Sequence, residues 1–223
     1  QLSPSLSLSY RLNEALSVNA NISRYHQLPS YTILGYRDGD NNLVNLNNDV
    51  KYIRADHMVF GLEYLTDWKS RFTLESFLKH YSRYPYSLKD SISLANIGSD
   101  FDVVGNEEIT STSTGRAYGL EFLYQQKLIK GFYAILAYTL VNSEFKNTAD
   151  DFVPTAWDSK HIVSLTGGKR FKKGWEIGFR WLFSGGSPYT PYDIATSSIK
   201  QNWDINGLGL LDYSQLNTQR ESN

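Results

Sequence analysis

Leu6, Leu8, Tyr10 and Leu12 alternate with Ser5, Ser7, Ser9 and Arg11, a strict period of two that predicts a strand with one oily and one polar face. After Asn13 and Glu14 the alternation restarts as Leu16, Val18, Ala20 and Ile22 against Ser17, Asn19, Asn21 and Ser23, so the two runs predict a tight hairpin. A second hairpin sets Met58, Phe60, Leu62 and Tyr64 against His57, Val59, Gly61 and Glu63, turns near Thr66 to Ser70, and returns along Arg71 to Tyr81, where Phe77 breaks the pattern. In a third, Tyr118, Leu120, Phe122 and Tyr124 oppose Gly119, Glu121 and Gln125, and a turn at Lys127 to Gly131 leads into Phe132 to Val141. That returning arm is apolar on both faces except at Thr139, which leaves its register open. The fourth hairpin ends in a clean alternation of Trp175, Ile177, Phe179, Trp181 and Phe183 with Glu176, Gly178, Arg180 and Leu182.

Between the hairpins lie longer stretches rich in Asn, Asp, Gly, Ser and Tyr: Arg24 to about Arg54, Ser82 to Gly115 and Ser143 to Ser159. After Ser184 the chain again turns to Gly, Ser, Pro, Asn and Tyr without a clear return. The pattern therefore predicts about eight strands in four hairpins, with short turns at one end and long loops at the other. Such loops are uncommon in compact soluble domains. They are the rule in outer-membrane barrels, whose strands of about ten residues cross the bilayer at a tilt.

"FGLEYL" at Phe60 to Leu65 and "YGLEFL" at Tyr118 to Leu123 each place a glutamate inside an apolar aromatic run. Period two alone fits both a dry sandwich core with a polar outer face and a lipid-facing wall with a wet lumen. The loop asymmetry, and the aromatics near strand ends at Tyr10, Tyr124, Trp175 and Phe183, favour the wall. On that reading Glu63, Glu75, Glu121 and Arg180 face a wet lumen.

Composition narrows the chemistry. The 223 residues hold 16 Tyr and no Cys, which excludes disulfides, thiol nucleophiles and zinc–cysteine sites. A formal net charge of -1 gives no electrostatic reason to bind nucleic acid. No apolar run is long enough for a transmembrane helix, and the mean hydropathy of -0.40 reads as soluble, an average that alternating membrane strands also produce. "QLSPSLSLSY" has neither a basic nor an apolar leader region, so Gln1 reads as an internal position of a longer chain. Lys127, Lys130, Lys169, Arg170, Lys172 and Lys173 cluster at the short turns, and Asp100, Asp102, Glu107, Glu108, Asp150 and Asp151 in the long loops; both groups are expected to be solvated surface.

Other sites are poorly supported by spacing. His26, His57, His80 and His161 are scattered over different elements. "DGDNN" at Asp38 to Asn42 begins like a calcium loop, but Leu43 stands where glycine is needed. Ser187, His161 and Asp158 assemble into a triad only on paper, since no nucleophile elbow precedes Ser187. Gly185 and Gly186 read as a flexible loop start. No catalytic residue, cofactor or metal is expected, and the protein is not expected to be an enzyme.

With the hairpins placed, "GRAYGLEFLYQQKL", "GFYAILAYTLVNSEF", "VPTAWDSKHIVSLTGGKRF" and "WEIGFRWLFSGGSPYTPYD", preceded by "RYHQLPSY" and "FGLEYL", resemble in content and order the barrel of TonB-dependent outer-membrane receptors. The resemblance implies an all-β, antiparallel up-and-down transmembrane barrel of which residues 1–223 are one part, within the C-terminal domain of a larger receptor. That receptor has an N-terminal plug, which is not recognised here, inside about 22 strands. It further implies TonB-energised uptake of a scarce nutrient (siderophore, cobalamin, glycan or peptide), with the TonB complex, the plug, a small ligand and outer-membrane lipid as partners. Glu63, Glu75, Glu121 and Arg180 are then wall positions toward the plug, held there for lumen hydration or salt bridging. An ungated porin-like barrel shares every strand feature, and a soluble β-sandwich that binds carbohydrate remains the alternative without a membrane.

Overall fold

The computed structural model describes residues 1–47, 50–97, 104–147, 149–206 and 209–222. Asp100 and Asp102 lie outside the described residues. The alternating segments form β1 (Ser5–Arg11), β2 (Leu16–Gln27), β3 (Ile53–Leu65), β4 (Ser70–Ser87), β5 (Ile109–Ile129), β6 (Phe132–Lys146), β7 (Phe152–Pro154), β8 (His161–Arg170) and β9 (Glu176–Ser184). Every neighbouring pair is antiparallel, in the order β1-β2-β3-β4-β5-β6-β8-β9, with short β7 beside the far end of β6. This is one open up-and-down sheet with β1 and β9 at its edges. A sandwich needs a second large sheet facing the first, and the long strands supply only one.

The register sorts the two faces. The row through Tyr10, Val18, Leu62, Leu74, Phe122, Tyr138, Val163 and Phe183 crosses the whole sheet on one face. The same row lies close to the turns in β1 to β4 and further from them in β5 to β9, because β2 begins at Leu16 and β3 ends at Leu65 while β5 runs on to Ile129 and β8 to Arg170. This stagger is the shear of tilted strands in a barrel wall. On the apolar face, Met58, Phe60, Trp175, Ile177, Phe179 and Trp181 are more than half exposed. Toward the loops the apolar band stops at charged pairs, Arg24–Asp56 at 2.6 Å and Arg116–Glu144 at 2.9 Å. Toward the turns it ends in aromatics packed at a tilt, with Phe72 and Tyr124 ring centroids 4.9 Å apart.

The structure settles β6: Ala134, Leu136, Tyr138 and Leu140 share the apolar face, and Tyr133, Ile135, Ala137 and Thr139 share the face of Glu121. On that second face glycines and aromatics interlock across strands. A Cβ on Gly115 would lie 2.5 Å from the ring of Phe145, and one on Gly119 would lie 2.8 Å from Cζ of Phe77. Phe77, the residue that breaks the β4 alternation, thus lies over a glycine on the next strand, a device that lets a sheet curve without leaving a hole.

Strands extend further toward the loops than their alternation predicts: β4 to Ser87 instead of Tyr81, and β5 from Ile109 instead of Ala117. One face meets protein there and carries mostly small or polar residues, while the other, at Thr110 and Thr112, is open or half-open. Ser87, Ile109 and Ser113 are buried, so the residues carry no oily/polar alternation. A register shift between Tyr81 and Tyr86, with Arg83 at φ 57, bends β4 at the start of this extension. The loops contain short helices, α1 (Tyr31–Leu34), α2 (Val44–Asn47), α3 (Ile194–Ser197) and α4 (Lys200–Asn206). The chain after Ser184 does return, as β10 (Pro188–Tyr189) pairs with β11 (Gln219–Arg220).

Candidate functional site

The glutamates lie on the face opposite the apolar band. Glu75 and Glu121 are direct register partners on β4 and β5, and Glu63 pairs with Thr73 one step nearer the turns. Like charges placed directly opposite repel across a sheet. The Glu75 side chain therefore lies over Gly61, whose missing Cβ leaves room 3.1 Å from its Cγ. Glu63 forms an ion pair with Arg71, whose Nε lies 2.8 Å from the carboxylate. Arg180 shares this face, opposite Thr166, but lies three strands from Glu121. The sheet gathers three of the four expected residues and leaves Arg180 apart.

The second candidate surface is the loop cap above this wall. Its small apolar core joins Ile33, Leu94 and Ile109, with Tyr84 and Ile97 against it. Fully buried polar side chains tie the loops together. Asn45 donates to the carbonyls of Ile33 (2.7 Å) and Glu107 (2.8 Å) and accepts from the Ile109 amide (2.9 Å). Asn96 donates to the Val153 and Pro154 carbonyls, and Asn217 to those of Asn96 and Pro154. Asp158 accepts from the Ser143 amide (2.8 Å) and from the Arg220 guanidinium (2.5 Å).

Two adjoining cavities open in the cap and share Ile97 and Ala156 in their walls. The first, about 480 Å³, sets an apolar and aromatic wall of Ile33, Tyr84, Leu94 and Trp157 beside Gln27, Ser30 and Thr32. The second, about 510 Å³, is wetter, with Asn96, Tyr189, Tyr192, Tyr213, Asn217 and Glu221 around it. An apolar wall beside tyrosine hydroxyls, amides and one carboxylate suits capture of a polar organic ligand with an apolar body. Sequence reasoning did not find these residues. The tyrosines of "SPYTPYD" were its only visible signal, and the Asn and Ser partners come from loops far apart in the chain.

The spacing-based candidates are resolved by their contacts. Asp158 engages Arg220 while His161 bonds the Tyr138 hydroxyl at 2.9 Å, so the two serve different partners. Asp38 closes its own turn: one oxygen accepts from the Asp40 and Asn42 amides, the other from the Asn42 side chain at 3.1 Å. The Asn42 side chain is the main reason that its carboxyl is held below the usual aspartate range. Gly185 and Gly186 are not a loose loop start. A Cβ on either would lie about 2 Å from the carbonyl oxygens of Ser159 and Glu221, so glycine lets three chain segments meet there. Among the described residues no cluster of three or more metal-ligating side chains is present, and no helix is long and apolar enough to cross a membrane.

A tilted sheet with an apolar outer band, a polar inner face and a cap of long loops is the wall of a transmembrane barrel. The family model described as TonB dependent receptor-like, beta-barrel matches residues 1–218. The chain belongs to that family. TonB-dependent receptors of this kind are outer-membrane receptor and transport proteins, which places this wall in the bacterial outer membrane. The fold recurs in the receptor FpvA of P. aeruginosa bound to heterologous pyoverdines, at 18% identity and a TM-score of 0.59 over 86% of this chain and 24% of that one. It recurs in the ferric-catecholate import receptor Fiu of E. coli K12 (15%, 0.60, 83% and 24%) and in the iron transporter FrpB of Neisseria meningitidis (15%, 0.57, 85% and 27%). The chain thus spans about a quarter of the length of these receptors. No curated protein matches it by sequence.

Proposed function

We propose that residues 1–223 are part of the C-terminal barrel domain of a gated importer that takes up a scarce nutrient with energy relayed by TonB, through a plug held inside the barrel. The observation that carries this reading is the pairing of opposite faces on one wall: an exposed apolar band on one side, and Glu75 and Glu121 in register on the other. Neither glutamate is ion-paired among the described residues. Carboxylates concentrated on an inner face attract a cationic surface, which a plug can supply. Glu63, Glu75, Glu121 and Arg180 accordingly line the lumen toward the plug, as hydration and salt-bridge positions and not as ligand contacts. The short turns are periplasmic and the cap extracellular, where its cavities take the ligand.

Siderophore, cobalamin, glycan and peptide are the ligand classes to screen. Metal chelates come first, since the structural neighbours include a ferric-catecholate import receptor and a ferripyoverdine receptor. The test is uptake by cells expressing the intact receptor, with and without functional TonB. Accumulation that needs both TonB and this receptor supports the reading. Equal accumulation without TonB overturns it in favour of an ungated pore.

A further inference from the structure

On the apolar face, where β4, β5 and β6 approach their turns, a groove of about 650 Å³ is walled by Trp68, Phe72, Phe122, Tyr124, Phe132 and Leu136. Its floor is a polar clamp. Gln126 accepts from the hydroxyls of Ser70 and Tyr124 and donates to the carbonyls of Lys127 (2.8 Å) and Trp68 (3.4 Å). A side-chain amide on a lipid-facing wall is tolerated only when its groups are satisfied within the protein, and Gln126 meets that condition. The same bonds lock the β3–β4 turn against β5, assisted by the Lys127 amide on the Lys69 carbonyl at 3.3 Å. The floor of the groove is therefore fixed by hydrogen bonds within the protein.

Its turn-side mouth is cationic. Lys130 lines the groove, and the Lys169 ammonium lies 4.1 Å from the centroid of the Phe132 ring that walls it. No carboxylate lines the groove. We propose that this groove holds one acyl chain of an anionic glycerophospholipid, whose phosphate is bound between Lys130 and Lys169. The acyl chain would continue the apolar band, with Lys130 in the groove wall and the Lys169 ammonium over the Phe132 ring of the same wall, and aromatic walls near strand ends suit the zone where a headgroup meets its acyl chains. The inference rests on the membrane-wall reading above.

The test uses the intact receptor in nanodiscs, with the emission of Trp68 isolated as the difference between the wild type and W68F. Brominated phosphatidylglycerol is expected to quench that emission more strongly than brominated phosphatidylcholine at equal mole fraction. The preference should be about fivefold per lysine, the order for an ammonium at an anionic surface, and K130Q/K169Q should abolish it. Equal quenching by the two lipids, or a preference unchanged in the double variant, overturns the proposal. Quenching by neither lipid, with Trp175 and Trp181 also silent, overturns the membrane wall itself.

Discussion

The wall and the cap are built by opposite means. In the wall, large apolar side chains such as Phe60, Ile177 and Trp181 stay exposed, and the strands are held by backbone ladders whose register is set by alternation. In the cap, the fully buried side chains include Asn45, Asn96 and Asp158, and short irregular segments are held by their directional polar bonds. The difference teaches that one chain meets two solvents. Lipid satisfies no backbone group, so the wall must be regular; water and buried amides can satisfy irregular loops, so the cap is free to be shaped for recognition.

Breaking the cap is expected to have the largest effect. Asp158→Ala removes the acceptor of the Ser143 amide and of the Arg220 guanidinium. It should cost about 3 kcal/mol, the low end for a broken buried pair because Arg220 keeps partial access to water. Limited proteolysis should then release residues 185–222, while the heat-modifiable mobility of the folded barrel is retained. Loss of both together would mean that cap and wall form one cooperative unit.

The two faces of the wall should respond differently to the same charge. Leu120→Arg places a cation in the apolar band and should destabilise by about 2–4 kcal/mol if it lies near the bilayer midplane. Thr139→Arg, opposite Glu121 on the inner face, should be nearly neutral. Urea titration of the refolded receptor in lipid reads both, and equal costs would remove the distinction between the faces. Gly115→Ala drives a methyl into the Phe145 ring and should cost about 1–3 kcal/mol by overpacking. Adding Phe145→Leu should recover part of that cost in the same titration.

The smallest effect is a pH response in the loops. Because hydrogen bonds lower the Asp38 carboxyl in the folded state, its contribution is complete above the ordinary aspartate range and fades as pH falls through the lowered value. Exchange protection of the Asn42 amide should fall below that point and remain flat above it. In Asp38→Asn, protection should be lower throughout and insensitive to pH.

Legibility followed the same division. Ser5 to Leu12 and Trp175 to Phe183 announce their strands because a lipid-facing position must be apolar and its neighbour is free to be polar. Phe132 to Val141 hides its register because its inner residues pack beside glycine-bearing neighbours and are apolar too. Ile109 to Gly115 hides its strand altogether, since loops cover one face, whose residues are Ile109, Ser111, Ser113 and Gly115, and the other face is threonine, so neither face reads as oily. The glutamate face could be assigned from "FGLEYL" and "YGLEFL", but not the fact that Glu75 and Glu121 stand opposite each other, which depends on the register of two separate hairpins.

The amino-acid order by itself determined the hairpins, the two faces and the family resemblance, because each is a repeat of local chemistry with period two. Tertiary structure alone decided which loops meet, where Asn45, Asp158 and Asn217 find their partners, and which aromatics wall the groove around Gln126. Those contacts join residues tens of positions apart, and a hydrogen bond leaves no periodic trace in the chain that supplies it.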